Sequence, residues 1–235
     1  MRQIFLDTET TGLRHDQGDR IIEFACIEYD NRRDTGRRLQ HYVNPERNSH
    51  PDAVRVHGIT DTFLLDKPLF AAVADELLEF VAGAEVVIHN AAFDIGFLDA
   101  ELARLGRPKF AGHALRITDS LLMAREMFPG KGNSLDALCR RLEVDNSARD
   151  LHGALIDADL LAQVYLNLTR GQDSLVIEVA QQSSGPVELT PVDLREVALS
   201  VLAASAQEQA AHEEILASVD KASGGQLVWP RELPV

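Results

Sequence analysis

The chain has 235 residues, 45% of them hydrophobic, and a formal net charge of −14 from 23 Lys and Arg against 37 Asp and Glu. That balance excludes a protein gripping long stretches of nucleic acid through counterion release, but not a site for a few nucleotides where metal ions reverse the local sign. No apolar run reaches signal-peptide length or the ~20 residues of a membrane span, and Cys26 and Cys139 stand singly in apolar segments, so a reducing, cytoplasmic setting without disulfides, zinc or membrane is expected.

In chain order, "RQIFLD" reads as a strand, "DRIIEFACIEYD" as a long second one and "GRRLQHYVN" as a third, with "NRRDTG" as the turn between the last two. Such short connections make these three strands antiparallel neighbours. "PLFAAVADELLEFVAG" has helical periodicity and stops at Gly83; "AEVVIHN" is a short buried strand; "AAFDIGFLDAELARLG" is a helix ended by Gly106. "LRITDS" is a candidate fifth strand, "NSLDALCRRLEV" a helix on an Asn/Ser cap, and "HGALIDADLLAQVYLNL" a long final helix. The first ~175 residues therefore have the alternating pattern of an α/β domain. "AQQSSGPVELTP" reads as a linker, and 191–223 as an alanine-rich helical stretch stopped by Gly224 and Gly225, ahead of Trp229, the chain's only tryptophan.

Four acids stand out. In a strand, residues i and i+2 share a face, so Asp7 and Glu9 converge while Thr8 faces away, and Gly12 lets the backbone turn. A strand-end acid followed by a solvated one is an equally open reading of this pair. Asp94 falls in the first turn of a helix, where a carboxylate is favourable without any chemistry. Asp157 is the most informative: Leu161, Val164 and Tyr165 share its helix face, so it points inward, whereas Asp159 lies on a different, solvated face. His152 precedes Asp157 by five residues, about 140° of helical twist, so both serve one site only if His152 stands at or before the helix start. Four carboxylates crowded together cannot all ionise in a dry pocket without cations, and oxygen-only ligands suit magnesium or manganese. Two such ions roughly 4 Å apart match a two-metal phosphodiester hydrolysis site.

"DTETTG", "HNAAFD" and "LHGALID", in this order and spacing, resemble the three motifs of the DEDDh exonucleases, and among them the replicative proofreading members. The likeness extends to "VHGITDTFLLDKP", "GAEVVIHNAAFDIGF", "MFPGKGNSLDALC" and "AAHEEI", covering nearly the whole chain. It implies an RNase H-like fold, a mixed five-stranded sheet of three antiparallel and two parallel strands flanked by helices, and release of nucleoside 5′-monophosphates from 3′ ends. Asp7, Glu9 and Asp157 would ligate the two Mg2+ or Mn2+ ions directly, Asp94 would complete the set, and His152 would be the general base. His57 and Asp52 would lie beside the terminal nucleotide, although relatives usually carry Glu where Asp52 stands. Leu13 and Val56 would wedge against its bases, or else belong to ordinary core packing. His89, in "IHN", is the alternative base, but because it ends a buried strand a structural role is favoured.

The resemblance also divides the chain into an exonuclease domain over 1–175, a linker over 176–190 and a helical tail over 191–235. "GQDSLVI" resembles a sliding-clamp-binding peptide, with Gln172, Leu175 and Ile177 as its side chains. The tail, with Leu227, Val228 and Trp229, resembles a segment that docks on a polymerase catalytic subunit; a helix folded back on its own domain is the plain alternative. A small accessory subunit is a further possible partner. The competing functions are a 3′→5′ exoribonuclease, which generally lacks such a tail, and an assembly subunit bridging clamp and polymerase.

Overall fold

The computed structural model describes residues 1–147, 151–170 and 204–225. The chain divides into two units, Met1–Ile177 and Glu178–Val235. The expected clamp peptide, with Gln172, Leu175 and Ile177, the linker over 176–190, the start of the tail and Trp229 all lie outside the described residues.

The first unit is built on strand β1 (Arg2–Thr10), which is buried on both faces because it lies at the centre of the sheet. It pairs antiparallel with β2 (Ile21–Asp30), which pairs antiparallel with β3 (Arg33–Tyr42). On its other side β1 runs parallel to β4 (Glu85–Ile88), and β4 parallel to β5 (Arg116–Asp119). The order β3-β2-β1-β4-β5 is the mixed five-stranded sheet that the motifs implied. Strand β3 closes one edge and buries only Leu39 along its length; its charged side chains keep that edge from pairing further.

Helix α3 (Phe70–Val81) and helix α4 (Ala91–Arg104) cover one face, over a core that includes Ile4, Leu6, Phe24, Leu77 and Leu98. The other face is covered by α5 (Ser120–Met127), α6 (Leu135–Arg141) and α7 (Ala154–Leu168), over Phe5, Val87, Leu138, Leu161 and Val164. The two cysteines are fully buried on opposite faces. Glu85, wholly buried at the start of β4, is held by Gln3, Arg116 and Thr118. Two short helices, α1 (Pro51–His57) and α2 (Asp61–Leu64), precede α3.

Three features differ from the sequence expectation. The β2–β3 turn is two residues, Asn31 and Arg32, both at positive φ (47° and 64°), because that twist matches the strands it joins. "RDTG" belongs to β3 instead. Helices α1, α2 and α5 were not anticipated: with seven, four and eight residues they are too short to display an amphipathic period. Finally, Gly12 does not adopt a left-handed conformation. It is needed for space, since a Cβ there would stand 2.4 Å from Asp19 Oδ2 and from the His50 ring.

In the second unit, α8 (Ala206–Ala222) starts on a capping box between Ser205 and Glu208, and it exposes Ile215 and Val219. Among the described residues no helix is long and apolar enough to cross a membrane.

Candidate active site

Glu9 on β1, His152 just ahead of α7, and Asp157 in its first turn bring ligand atoms within 4.8 Å of one another. The elements explain why residues so far apart in the chain meet there. Glu9 pairs across the ladder with Glu23, and the register then slips so that Thr10 faces Ile21, leaving Ile22 as the extra residue of a bulge. A bulge bends and twists the strand pair locally, here directly beside Glu9. On the helix side, His152 stands before the Gly153 N-cap, outside the regular helix, as its spacing from Asp157 required. Its N–H donates to the Val56 carbonyl of α1 at 3.1 Å, and its Nδ1 lies 3.4 Å from Asp157 Oδ2. The imidazole is half exposed, whereas Asp157 is 4% exposed.

Asp7 lies two residues before Glu9 on the same face of β1 and is half-buried. Asp94, in the first turn of α4, is joined to β1 through Thr8, whose hydroxyl donates to Asp94 Oδ1 at 2.7 Å. Thr8 does face away from Asp7 and Glu9, but it is not idle: it fixes the fourth acid. Burial pushes the Asp94 carboxyl up to about 7, against the Thr8 hydrogen bond and with a further upward push from Asp119. An acid held so high among other acids is what a cation would relieve. Carboxylate oxygens with one imidazole suit a hard divalent ion, so the residues fit such a group.

Two acids that the sequence did not single out support this geometry. Asn90, the N-cap of α4, makes no side-chain cap bond; the Ala91 N–H instead donates to Asp119 Oδ2 at 3.0 Å, from the end of β5. Gly153 likewise cannot cap α7, and the Ala154 N–H donates to Glu23 Oε2 at 3.3 Å, from β2. Burial lifts the Glu23 carboxyl above its ordinary range, against hydrogen bonds from Gln40 and from Ala154. Both helices that carry an acid to the site are thus capped by a carboxylate from the sheet.

Beside the acids opens a cavity of about 630 Å³, lined by Leu13, Asp52, Val56, His57 and Phe93 among others. Leu13 is 79% and Val56 47% exposed, which rules out core packing for both. His57 is buried, and its Nδ1 accepts the Ile59 N–H at 3.0 Å, placing the proton of the neutral ring on Nε2. Burial lowers its pKa, keeping that ring neutral. Asp52 is exposed at the rim and ion-paired with Arg55. The loop carrying Leu13 is fastened by Asp19, which accepts from Thr11 Oγ1 and the Arg14 N–H and pairs with Arg47. His89 sits outside the tight group, with Nδ1 2.9 Å from Ser120 Oγ.

The family model described as Exonuclease matches residues 4–165. A protein of Escherichia coli K12 named DNA polymerase III subunit epsilon is 51% identical, covering 97% of each chain. A Haemophilus influenzae protein of the same name is 45% identical, covering 98% of this chain and 95% of its own. Among solved structures, the nuclease domain of 3′hExo, a DEDDh family member bound to rAMP, superposes with a TM-score of 0.62 at 18% identity, covering 72% of this chain and 92% of that one. The shared fold is the RNase H-like one.

Proposed function

The chain belongs to the Exonuclease family and matches DNA polymerase III epsilon subunits along nearly its whole length, and from that premise we propose that it is the 3′→5′ proofreading subunit of a bacterial replicative DNA polymerase. It is a metal-dependent exonuclease; that the operating ions are two, and Mg2+ or Mn2+, belongs to the proposal. What carries the reading is the gathering of Glu9, His152 and Asp157 within 4.8 Å, beside a cavity open at the surface.

In this mechanism Asp7, Glu9, Asp94 and Asp157 would hold the ions, which when bound would supply charge neutralisation at the phosphate and an acidified water. Leu13, Val56 and His57 receive the terminal nucleotide, and the apolar pair shields its bases from solvent. His152 takes the proton of the attacking water. As the water oxygen bonds to phosphorus, the bond to the upstream 3′ oxygen breaks and that oxygen takes a proton from solvent, giving a nucleoside 5′-monophosphate and a new 3′ hydroxyl. A frayed mismatched end costs less to unpair than a matched one, which gives selectivity without reading sequence. Residues 191–235 are assigned to the polymerase catalytic subunit and 172–177 to the sliding clamp, with room for a small accessory subunit, in the cytoplasm.

The test compares hydrolysis of a 3′-mismatched DNA primer, a matched primer and a short RNA in Mg2+ or Mn2+. The expected result is deoxynucleoside 5′-monophosphates, fastest from the mismatch. A clear preference for RNA overturns the proofreading reading in favour of an exoribonuclease.

A further inference from the structure

A second cavity, of about 610 Å³, opens where the parallel strands β4 and β5 end. It is lined by His89 and Asn90 after β4, Arg125 of α5, and Lys131, Asn133 and Ser134 of the α5–α6 loop, and no acidic residue contributes to its wall. In a chain with 37 acidic residues against 23 basic ones, a cavity of that make-up is unexpected. Several other arginines are taken up in ion pairs: Arg2 and Arg37 with Glu28, Arg38 with Asp34, Arg116 with Glu85. Arg125 and Lys131 have no carboxylate partner among the described residues, and both are exposed.

The loop bearing Lys131 is built. Arg141 donates to Asn133 Oδ1 at 3.0 Å and to the Gly132 carbonyl at 2.8 Å, and its guanidinium lies over the Phe128 ring at 4.6 Å. Asn133 in turn donates to the Phe128 carbonyl. The cavity also lies at the N-terminal end of the helix that carries Asp94. Asn90 lines it, Phe93 lines the cavity of Leu13 and His57, and Asp94 follows at once in the same turn of α4. Crevices beyond the carboxyl ends of parallel strands are where α/β sheets take their ligands.

We propose that this second cavity binds the sugar–phosphate backbone of the strand being shortened, upstream of the bond that is cut, with Arg125 and Lys131 on its phosphates. The inference rests on the exonuclease function proposed above. Two contacts of this kind are all a chain of net charge −14 needs to track a strand for a few nucleotides, and they guide it from the duplex side toward the acids.

The experiment measures binding of a labelled single-stranded DNA octamer to the full chain by fluorescence anisotropy across a salt series, without added metal. In the double variant Arg125→Ala and Lys131→Ala, Kd rises roughly three- to tenfold at low salt, and the slope of log K against log salt shrinks by about 1.4, two phosphate contacts' worth. The variant retains hydrolysis of the p-nitrophenyl ester of thymidine 5′-monophosphate, which has no upstream strand. The charge-keeping pair Arg125→Lys and Lys131→Arg restores the slope. Unchanged Kd and slope in the alanine variant overturn the proposal, as does failure of the charge-keeping pair. An effect seen only with a duplex primer assigns the cavity to the template strand and equally overturns it. Failure of the parent protein to cleave the ester would instead count against the exonuclease reading, leaving the binding result to be judged by itself.

Discussion

At Gly58 two constraints fall on one residue: its φ is +72°, and an added Cβ would stand 2.5 Å from Leu151 Cδ1. Leu151 precedes His152, whose N–H is bonded to the Val56 carbonyl, so the end of α1 and the approach to α7 are fitted to each other through a glycine. Gly58→Ala is therefore expected to cost about 1–2 kcal/mol in backbone strain and to displace His152. A displacement of about 1 Å lowers kcat by roughly 100-fold. Steady-state rates alongside melting temperatures check it, and a stability loss with an unchanged kcat would mean that His152 does not move. Asp157→Asn is expected to behave in the opposite way. It keeps the shape and removes the charge, so hydrolysis should collapse while the melting temperature holds or rises, because one fewer carboxylate is crowded beside Glu9.

Helices α4 and α7 obtain their first-turn acceptors from 28 and 131 residues away, through Asp119 and Glu23. Glu23→Ala is expected to uncap α7 and to lower kcat about 10- to 100-fold by loosening Asp157, with Glu23→Gln recovering most of it because an amide oxygen still accepts. A kcat unmoved in Glu23→Ala would show that α7 needs no acceptor there. Farther along α4, Glu101 lies two turns after Asp94 and takes Arg20 at 2.5 and 2.8 Å, with both side chains largely buried. Glu101→Ala leaves that guanidinium only the longer contact with exposed Glu46 at 3.7 Å and is expected to cost about 3 kcal/mol, read from urea unfolding. These ties mark what the sequence can and cannot disclose at this scale. The inward set of Asp157 followed from its apolar neighbours, and the Gly106 stop from the left-handed residue a helix end requires, since Gly106 has φ +65° and its N–H reaches the Ala103 carbonyl. Caps supplied in trans leave no such trace, because local rules search for Ser, Thr or Asp next to the helix. The part played by Thr8 was hidden for a related reason: facing away from Asp7 is visible in a period of two, but what it meets there is decided by α4.

At the scale of the first unit, two buried carboxylates, Glu85 and Glu28, are held ionised and support stability toward acid, opposite to the raised Asp94 and Glu23. For Glu85 and Glu28 burial alone pushes the carboxyl up, but the hydrogen bonds and charges of Thr118, Gln3 and Arg116 on one, and of Arg2, Thr35 and Arg37 on the other, outweigh it and leave both below the ordinary range near 4.5. The folded state thus holds them charged more readily than the unfolded chain does. Their contribution is complete above about pH 4.5 and is lost as the pH falls through their depressed values. Glu85→Gln is expected to flatten the acid limb of a stability–pH curve from pH 3 to 6; an unaltered limb would assign acid unfolding to other groups. The two-unit division supports a further expectation: a chain ending near residue 180 retains nuclease activity and no longer co-purifies with polymerase. Co-purification of the shortened chain would refute the assignment of the tail.

The tight turn between β2 and β3 does more than reverse the chain. Arg32, held at positive φ, donates to Thr169 Oγ1 at 2.7 Å and to the Leu166 carbonyl at 2.9 Å, buttoning the last turn of α7 to the far edge of the sheet. Any pull arriving along the polypeptide beyond residue 170 meets this fastening first. A load entering α7 from its C-terminal end would be borne at the hairpin, a full helix length from Asp157 in the first turn.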